Sequence, residues 1–530
     1  MPVRMCSEWL QRGLALGAET ALLGGGMNET RPSSGPDAAA GPRAGEPGGP
    51  ALPAVRIDDR MRALAEPAFA RSAGAPLIPG NDVRLLRDAG ENYPAWLAAI
   101  AGARHHIHFE NYILADDTIG NRFADALIER ARAGVSVRVI YDWLGVFRKA
   151  SRAFWARLRA GGVEVRGYNP PRLESPLGWV SRDHRKLLVV DGEIGFISGL
   201  CVADMWTGNP ARNIAPWRDT GVTIRGPALA DMERAFARNW ATLGAPLPDG
   251  VVPASDTPVP AAAGNVSLRI VASDPTTSGT FRLDQLVVAF ARKRVWLTDA
   301  YYLGAPTYVQ ALVTSARDGV DVRMLFTRGS DIPVMKMMSR TGYRALLEAG
   351  IRIFEWNGSL LHAKTAVIDG HWSRVGSTNL NFASWMGNCE LDAVIEDAGF
   401  GQQMEAMYLD DLSHATEIVL EQRRRKLRKS QSPAALTSRD RKGSATRAAA
   451  GAVRIGNVLG AALTNRRVIE PIECRLLAWT AVGLLGFAVL CVLFPRVFAY
   501  PTAALLVWVA GALLYRAAKL VRRRRPKNGG

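Results

Sequence analysis

The chain has 530 residues, enough for two or three domains, with an ordinary globular share of apolar residues and a formal charge of +17. That charge implies an anionic partner: nucleic acid, an anionic membrane or a phosphorylated substrate. Five scattered cysteines (Cys6, Cys201, Cys389, Cys474, Cys491), odd in number and without metal-ligand spacing, argue against a disulfide framework and for a reducing compartment.

Residues 1–54 read as a disordered leader. Glu8, Gln11, Arg12 and Glu19 interrupt any apolar core that a signal peptide would need, and the stretch from 26 to 55 is rich in Gly, Pro, Ala and Ser without periodicity. Order is expected from Val55. Helical spacing runs over Asp58–Arg71, and Pro79-Gly80-Asn81-Asp82 reads as a turn before a strand at Val83–Leu86. A helix at Tyr93–Ala101, a strand at Ile107–Ile113, a helix at Gly120–Ala133 closed by Gly134, a strand at Val135–Tyr141, a helix at Arg152–Ala160 and a strand at Val163–Val165 follow. The alternation predicts an α/β fold.

The second half repeats the first. Ala316-Arg317-Asp318-Gly319-Val320-Asp321-Val322-Arg323 echoes Ala131-Arg132-Ala133-Gly134-Val135-Ser136-Val137-Arg138, and Glu348–Ile353 echoes Ala160–Val165. An internal duplication is therefore expected: one α/β lobe over 55–250, a Pro/Ala-rich link over 251–264 and a second lobe over 265–421.

The same short pattern recurs at equivalent places in both lobes. His184-Arg185-Lys186-Leu187-Leu188-Val189-Val190-Asp191 returns as His362-Ala363-Lys364-Thr365-Ala366-Val367-Ile368-Asp369. Each copy runs into an apolar strand and an Asp-Gly turn. Side chains alternate along a strand, so His and Lys at i and i+2 point the same way. One copy alone reads as a polar strand edge. Two copies brought together supply two imidazoles and two ammoniums around one point, a site for a phosphodiester that needs no metal. His105, His106 and His108 cluster without a matching set of ligands, so no metal and no cofactor are expected.

Past Glu421 the character changes. Residues 422–473 open with the basic run Arg423–Lys429 and continue as a polar, Ser/Ala/Arg-rich linker. Over 474–520, Leu476–Phe494 and Val497–Tyr515 are uncharged apolar runs long enough to cross ~30 Å of hydrocarbon, and 521–530 is a basic tail. Arg466, Arg467 and Arg475 precede this pair, Arg516, Lys519 and Arg522–Arg525 follow it, and only Arg496 lies between. A transmembrane hairpin with both ends in the cytosol is expected, holding the lobes at the cytoplasmic face of the membrane.

The paired HxKxxxxD motifs resemble the phospholipase D superfamily, and within it the two-motif bacterial cardiolipin synthases. The resemblance covers roughly Val55–Glu421 and includes Gly376-Ser377-Thr378-Asn379-Leu380-Asn381 and Trp217-Arg218-Asp219. It implies duplicated lobes with a pseudo-two-fold site at their interface. It also implies a phosphatidyl transfer between two phosphatidylglycerol molecules through a phosphohistidine, with glycerol released. By this resemblance His184 is the nucleophile and His362 the acid/base, although the sequence itself does not break their symmetry. Lys186 and Lys364 would hold the non-bridging oxygens, Asp219 and Glu390 would orient the imidazoles, and Ser377 and Asn379 would support the site. Asp191 and Asp369 complete the motifs, with the strand end and its turn as their expected task. Cys201 stands where the family usually has Asn, as a packed small thiol or a second nucleophile. The implied partners are phosphatidylglycerol, other anionic phospholipids and the inner membrane, with no nucleic acid. A hydrolytic phospholipase D giving phosphatidic acid, a metal-independent nuclease and a membrane-anchored lipid-binding scaffold are the alternatives.

Overall fold

The computed structural model describes residues 57–171, 180–252, 260–420, 482 and 485–524. The leader 1–54, the basic linker 422–473, much of the 251–264 link, most of the loop Pro170–Trp179 and the tail beyond Arg524 lie outside the described residues.

The first half carries β1 (Ile78–Arg87), β2 (His106–Asn111), β3 (Ser136–Asp142), β4 (Glu164–Tyr168), β5 (Lys186–Val190), β6 (Ile194–Ser198) and β7 (Thr220–Arg225). The second carries β8 (Val266–Ser273), β9 (Arg294–Asp299), β10 (Asp321–Thr327), β11 (Arg352–Trp356), β12 (Thr365–Ile368), β13 (Trp372–Gly376) and β14 (Glu390–Glu396), with β15 (Ala415–Ile418) added at the edge. Hydrogen bonding orders them β15-β11-β10-β9-β12-β13-β14-β8-β1-β7-β6-β5-β2-β3-β4. Read outward from the central β8–β1 pair, the two halves have the same order. The duplication legible in the sequence is thus a duplication of topology. Parallel pairs occur where a helix intervenes, as between β2 and β3 or β9 and β10.

Pro79-Gly80-Asn81-Asp82 is not a turn between elements. It lies inside β1, where Ile78 and Asn81 pair with β8 through a register shift and Asp82–Arg87 pair with β7. Gly80 takes φ 87°, and the Asn81 side chain donates to the carbonyls of Ile78 and Val266. A glycine in the left-handed region beside a proline makes a bulge, and here the bulge hands the strand from one half to the other.

Both motif strands are buried on both faces, which is why they read as unbroken apolar runs. Leu187 and Val189 enter the core that also holds Val367, Val375 and Leu391 of the other half, whereas Leu188 and Val190 enter the core with Phe109, Phe123 and Leu158. Val367 lies in the shared core, and Ala366 and Ile368 in the second half's own.

The strand ends turn back at Asp191-Gly192 and Asp369-Gly370, all four at positive φ. The Asp191 carboxylate accepts the backbone N–H groups of Arg104, His105 and His106 at 2.7, 2.8 and 2.8 Å. Asp369 accepts those of Arg292, Lys293 and Arg294 at 2.9, 2.8 and 2.8 Å. The last residue of each motif therefore ties its hairpin to the start of the neighbouring strand, at the opposite end of the motif from the histidine. Burial pushes the Asp191 carboxyl up, but the three amides outweigh it and hold it below the usual carboxylate range. Its contribution is thus full above the ordinary Asp range and lost as pH falls through the depressed value. Alanine at Asp191 is expected to cost about 2–4 kcal/mol. The check is a lowered denaturant midpoint with unchanged turnover per folded molecule.

At the C-terminal end, among the described residues, no single helix is long and apolar enough to cross a membrane. Leu485–Leu493 and Pro495–Gly511 meet that test together but are bent by 93° at the break between them. Pro495 opens the helix Pro495–Arg524 and cannot continue the one before it, which explains the break the sequence marks at Pro495-Arg496. The segment Leu485–Leu493 spans only roughly 13 Å at 1.5 Å per residue.

Candidate active site

The two halves are stitched together at the motifs. Single parallel bridges join Asp183 to Cys389 and Arg218 to Leu361. His184 N donates to the Cys389 carbonyl at 2.9 Å and His362 N to that of Arg218 at 2.7 Å. Each histidine is thereby fixed by backbone from the other half, and each carboxylate arrives with that backbone.

Glu390 Oε2 lies 2.9 Å from His184 Nδ1, and Asp219 Oδ2 lies 2.8 Å from His362 Nδ1. The pairing crosses over: the carboxylate that follows the first motif serves the second motif's imidazole, and the reverse. Glu390 is held by Ser377 Oγ at 2.6 Å and by Asn388 Nδ2 at 3.3 Å. Asp219 is held by Trp206 Nε1 at 3.0 Å and by the Thr220 amide at 2.8 Å. Arg218, beside it, is locked onto Asp411 by two bonds of 2.9 Å.

The halves differ in how they seat these carboxylates. Gly199 is the repeat counterpart of Ser377, and a Cβ there would sit 2.1 Å from Asp219 Oδ1. The shorter aspartate takes the space that a side chain would fill, whereas the longer glutamate leaves room for a serine that donates to it. Asn379 is buried, with Nδ2 3.5 Å from Ser384 Oγ and Oδ1 without a partner. Cys201, its counterpart, is buried too. Burial pushes its thiol up, which leaves it uncharged and a poor nucleophile.

Lys186 Nζ donates to the His184 carbonyl, and Lys364 Nζ to that of His362. The ammoniums lie 5.2 Å and 5.8 Å from the rings of Tyr112 and Tyr301. Tyr112 meets His184 edge-on at 5.0 Å and Tyr301 meets His362 edge-on at 5.8 Å, with Trp206 and Trp217 5.3 and 5.7 Å from His362. From its sequence, Tyr112 ends a strand that could face a cleft or serve the structure equally, and neither Tyr301 nor Trp206 stands out. Tyr301 stands two residues past β9 where Tyr112 stands one past β2, so alignment of the repeats finds it only across a one-residue insertion. Glu110, on the same strand, turns inward, accepts from Asn239 and is structural. In the apolar and basic stretch Pro333–Met338, whose pattern suits either lipid contact or a core, Met337 and Met338 are exposed.

Burial lowers the pKa of both histidines. Lys186 reinforces this at His184 against the pull of Glu390. At His362 Lys364 reinforces it against Asp219, and the result is about 3. Burial and the repulsion of Lys186 bring Lys364 down to about 8 despite Asp219. Burial would raise Glu390 and Asp219, but their imidazole partners and the nearby lysines hold both below the carboxylate range. The arrangement is two neutral imidazoles, each donating Nδ1–H to a carboxylate and presenting the Nε2 lone pair, beside two lysine side chains.

A second cluster lies elsewhere on β2. Glu233 accepts from His106 Nε2 at 2.8 Å and from His108 Nδ1, while His105 stays outside the group. The ligand atoms of His106, His108 and Glu233 lie within 4.8 Å of one another, close enough to hold a metal ion. His108 Nε2 is buried without a partner. A metal at Nδ1 would force a proton onto that nitrogen and bury an unpaired donor, whereas the hydrogen-bonded triad leaves only a lone pair there. The residues fit a brace between β2 and the helix Leu229–Thr242 better than a metal centre.

The family described as "Cardiolipin synthase, PLD-like domain" matches residues 96–205 and 288–412, which contain both histidines, both lysines and Glu390, while Asp219 lies between the two matched stretches. A cardiolipin synthase from Geobacillus kaustophilus is 31% identical over 71% of this chain and 75% of its own. Cardiolipin synthase A from Pseudomonas aeruginosa is 33% identical over 67% of this chain and 72% of its own. The chain belongs to the cardiolipin synthase family. Its fold is also that of a solved phosphatidylserine synthase from Haemophilus influenzae, with a TM-score of 0.53 at 14% identity, covering 68% of this chain and 96% of that one. In this cardiolipin synthase family member the mixed α/β fold and the duplicated halves agree with expectation.

Proposed function

We propose that the protein joins two phosphatidylglycerol molecules into cardiolipin and releases glycerol. The observation that carries this reading is the pair of carboxylate-held imidazoles meeting between two buried lysines. His184 Nε2 attacks phosphorus, the bond to the headgroup glycerol oxygen breaks, and His362 gives that oxygen a proton. His362 then takes the proton of a hydroxyl on the second phosphatidylglycerol, whose oxygen displaces His184 from phosphorus. Lys186 and Lys364 neutralise the non-bridging oxygens. An anionic diester between the ammoniums offsets their repulsion of an imidazolium, which is what lets His362 carry a proton during the cycle. One phosphodiester replaces another, so the exchange is nearly balanced and needs no nucleotide. Asn379 supports the phosphate site through its side-chain N–H, which can donate to a phosphate oxygen; Ser377 acts through Glu390.

The test is mass spectrometry of products from phosphatidylglycerol in mixed micelles, without metal or nucleotide. Cardiolipin and glycerol in equal amounts are expected; phosphatidic acid alone would replace transfer with hydrolysis. The Lys364 ammonium is lost as pH rises through about 8. Accordingly kcat/KM should fall on the alkaline side from about that pH, and a profile flat to pH 10 would contradict the role given to Lys364.

The reading also places the C-terminal segment in the cytoplasmic membrane, with the catalytic body on the cytosolic side. Its support is the exposure of apolar side chains such as Val492 (78%) and Leu514 (72%), and the flanking arginines with only Arg496 between the runs. Removal of the chain beyond Cys474 should release the protein from membranes in a carbonate wash. A truncate that still sediments with them would contradict the anchor.

A further inference from the structure

Exposed apolar side chains stand on segments that contacts or chain neighbours tie to the two-histidine site. Phe147 (53% exposed) follows Asp142, whose carboxylate accepts the Asp183 amide next to His184. Val180 (60%) stands four residues before His184. Ile214 (47%) lies three residues before Trp217, which packs on His362. Ile332 (47%) adjoins Asp331, which accepts the hydroxyl of Tyr301 at 2.6 Å. Phe382 (63%) adjoins Asn381, whose amide donates to the Tyr301 carbonyl at 2.9 Å. Five large apolar groups from five segments, drawn from both halves, are more than scattered surface exposure accounts for.

Basic side chains accompany them. Arg148, Lys149, Arg212 and Arg328 are exposed on the same segments, while the carboxylates of Asp331 and Asp116 nearby are engaged by Tyr301 and Ser151. Apolar groups that enter the acyl boundary and cations that stay at headgroup level are the composition of a surface that lies on an anionic bilayer. We propose that this rim docks the catalytic body on a bilayer of anionic phospholipid, mouth inward, so that lipid enters the site without crossing water. The surface presumes the phospholipid substrate proposed above and acts in addition to the C-terminal anchor.

The test compares the full-length protein with a Phe147→Ser/Ile332→Ser/Phe382→Ser variant on two forms of one substrate. The forms are dioleoyl phosphatidylglycerol in preformed phosphatidylcholine vesicles and monomeric dihexanoyl phosphatidylglycerol. The variant should lose at least about tenfold on vesicles and stay within about twofold on monomers. Equal rates on vesicles, or equal losses on both forms, would overturn the docking surface.

If the unaltered protein turns over neither form, the transferase reading fails, and docking is then read without turnover. An environment-sensitive NBD fluorophore is attached through Phe382→Cys or Gln403→Cys, with Cys6, Cys474 and Cys491 replaced by Ser. Stronger quenching by spin-labelled vesicle lipid at 382 than at 403 supports docking. Equal quenching at both, or a response at 382 to single-stranded DNA instead of vesicles, overturns it.

Discussion

Alanine at His184 is expected to abolish phosphatidyl transfer, a loss of at least about 10⁴-fold, because the covalent intermediate has no other nitrogen on which to form. Alanine at His362 should also stop turnover with natural lipid, but for a different reason, and the leaving group separates the two. A glycerol alkoxide is a strong base and needs a proton as it departs. A p-nitrophenolate does not. A p-nitrophenyl phosphodiester of a diacylglycerol should therefore still phosphorylate His184 in the His362→Ala protein, with one equivalent of nitrophenol released in a burst. The adduct should then persist, since no base remains to activate the second alcohol. In His184→Ala there should be no burst and no adduct. Intact-mass spectrometry after the burst reads the result. An adduct in His184→Ala and none in His362→Ala would exchange the two roles. The test is needed because the two settings are close to equivalent: each imidazole has one carboxylate within 3 Å and one lysine two residues on. The stronger depression falls on His362, which burial and Lys364 hold neutral down to about pH 3 before a diester arrives.

The second large effect is expected at the crossed carboxylates. Glu390→Gln and Asp219→Asn keep shape but present an amide to a ring nitrogen that now donates. Where the amide offers N–H, the imidazole must accept at Nδ1 and carry its proton on Nε2, so the lone pair turns away from phosphorus. A wrong tautomer in a comparable histidine–carboxylate pair costs about 10⁴ in rate, and a loss of about 10²–10⁴ is expected for each substitution here. The crossing gives a sharper readout than rate. In protein labelled with ¹⁵N-histidine, Glu390→Gln should move the ring resonances of His184 and leave those of His362 nearly in place. Asp219→Asn should do the opposite. If each carboxylate instead perturbed the histidine of its own half, the exchanged pairing would be refuted. Asp219→Asn should also be the less stable of the two, because Trp206 Nε1 donates to the same oxygen and Arg218 lies alongside.

Much of this protein follows from short-range pattern. The apolar strands after the two His-x-Lys pairs and the two Asp-Gly turns each depend on a few neighbouring residues and are found as expected, whereas His184, His362 and Lys364 stand just ahead of the strands, which begin at Lys186 and Thr365. The internal repeat gives the topology of the halves, because equal patterns make equal strands and helices. Tertiary structure decided the rest. His184 meets Glu390 across 206 residues and His362 meets Asp219 across 143, and spacing along the chain carries no information about which carboxylate reaches which ring. That choice depends on how the halves are joined: through a bulge inside β1 that sequence reads as a turn, and through two single bridges at the site. Glu233 between His106 and His108, and the space at Gly199 that Asp219 occupies, are likewise set by packing between distant segments. Local sequence determines which side chains a strand offers and on which face. The long-range fold alone determines what they meet there, because close packing brings together residues that share no local pattern.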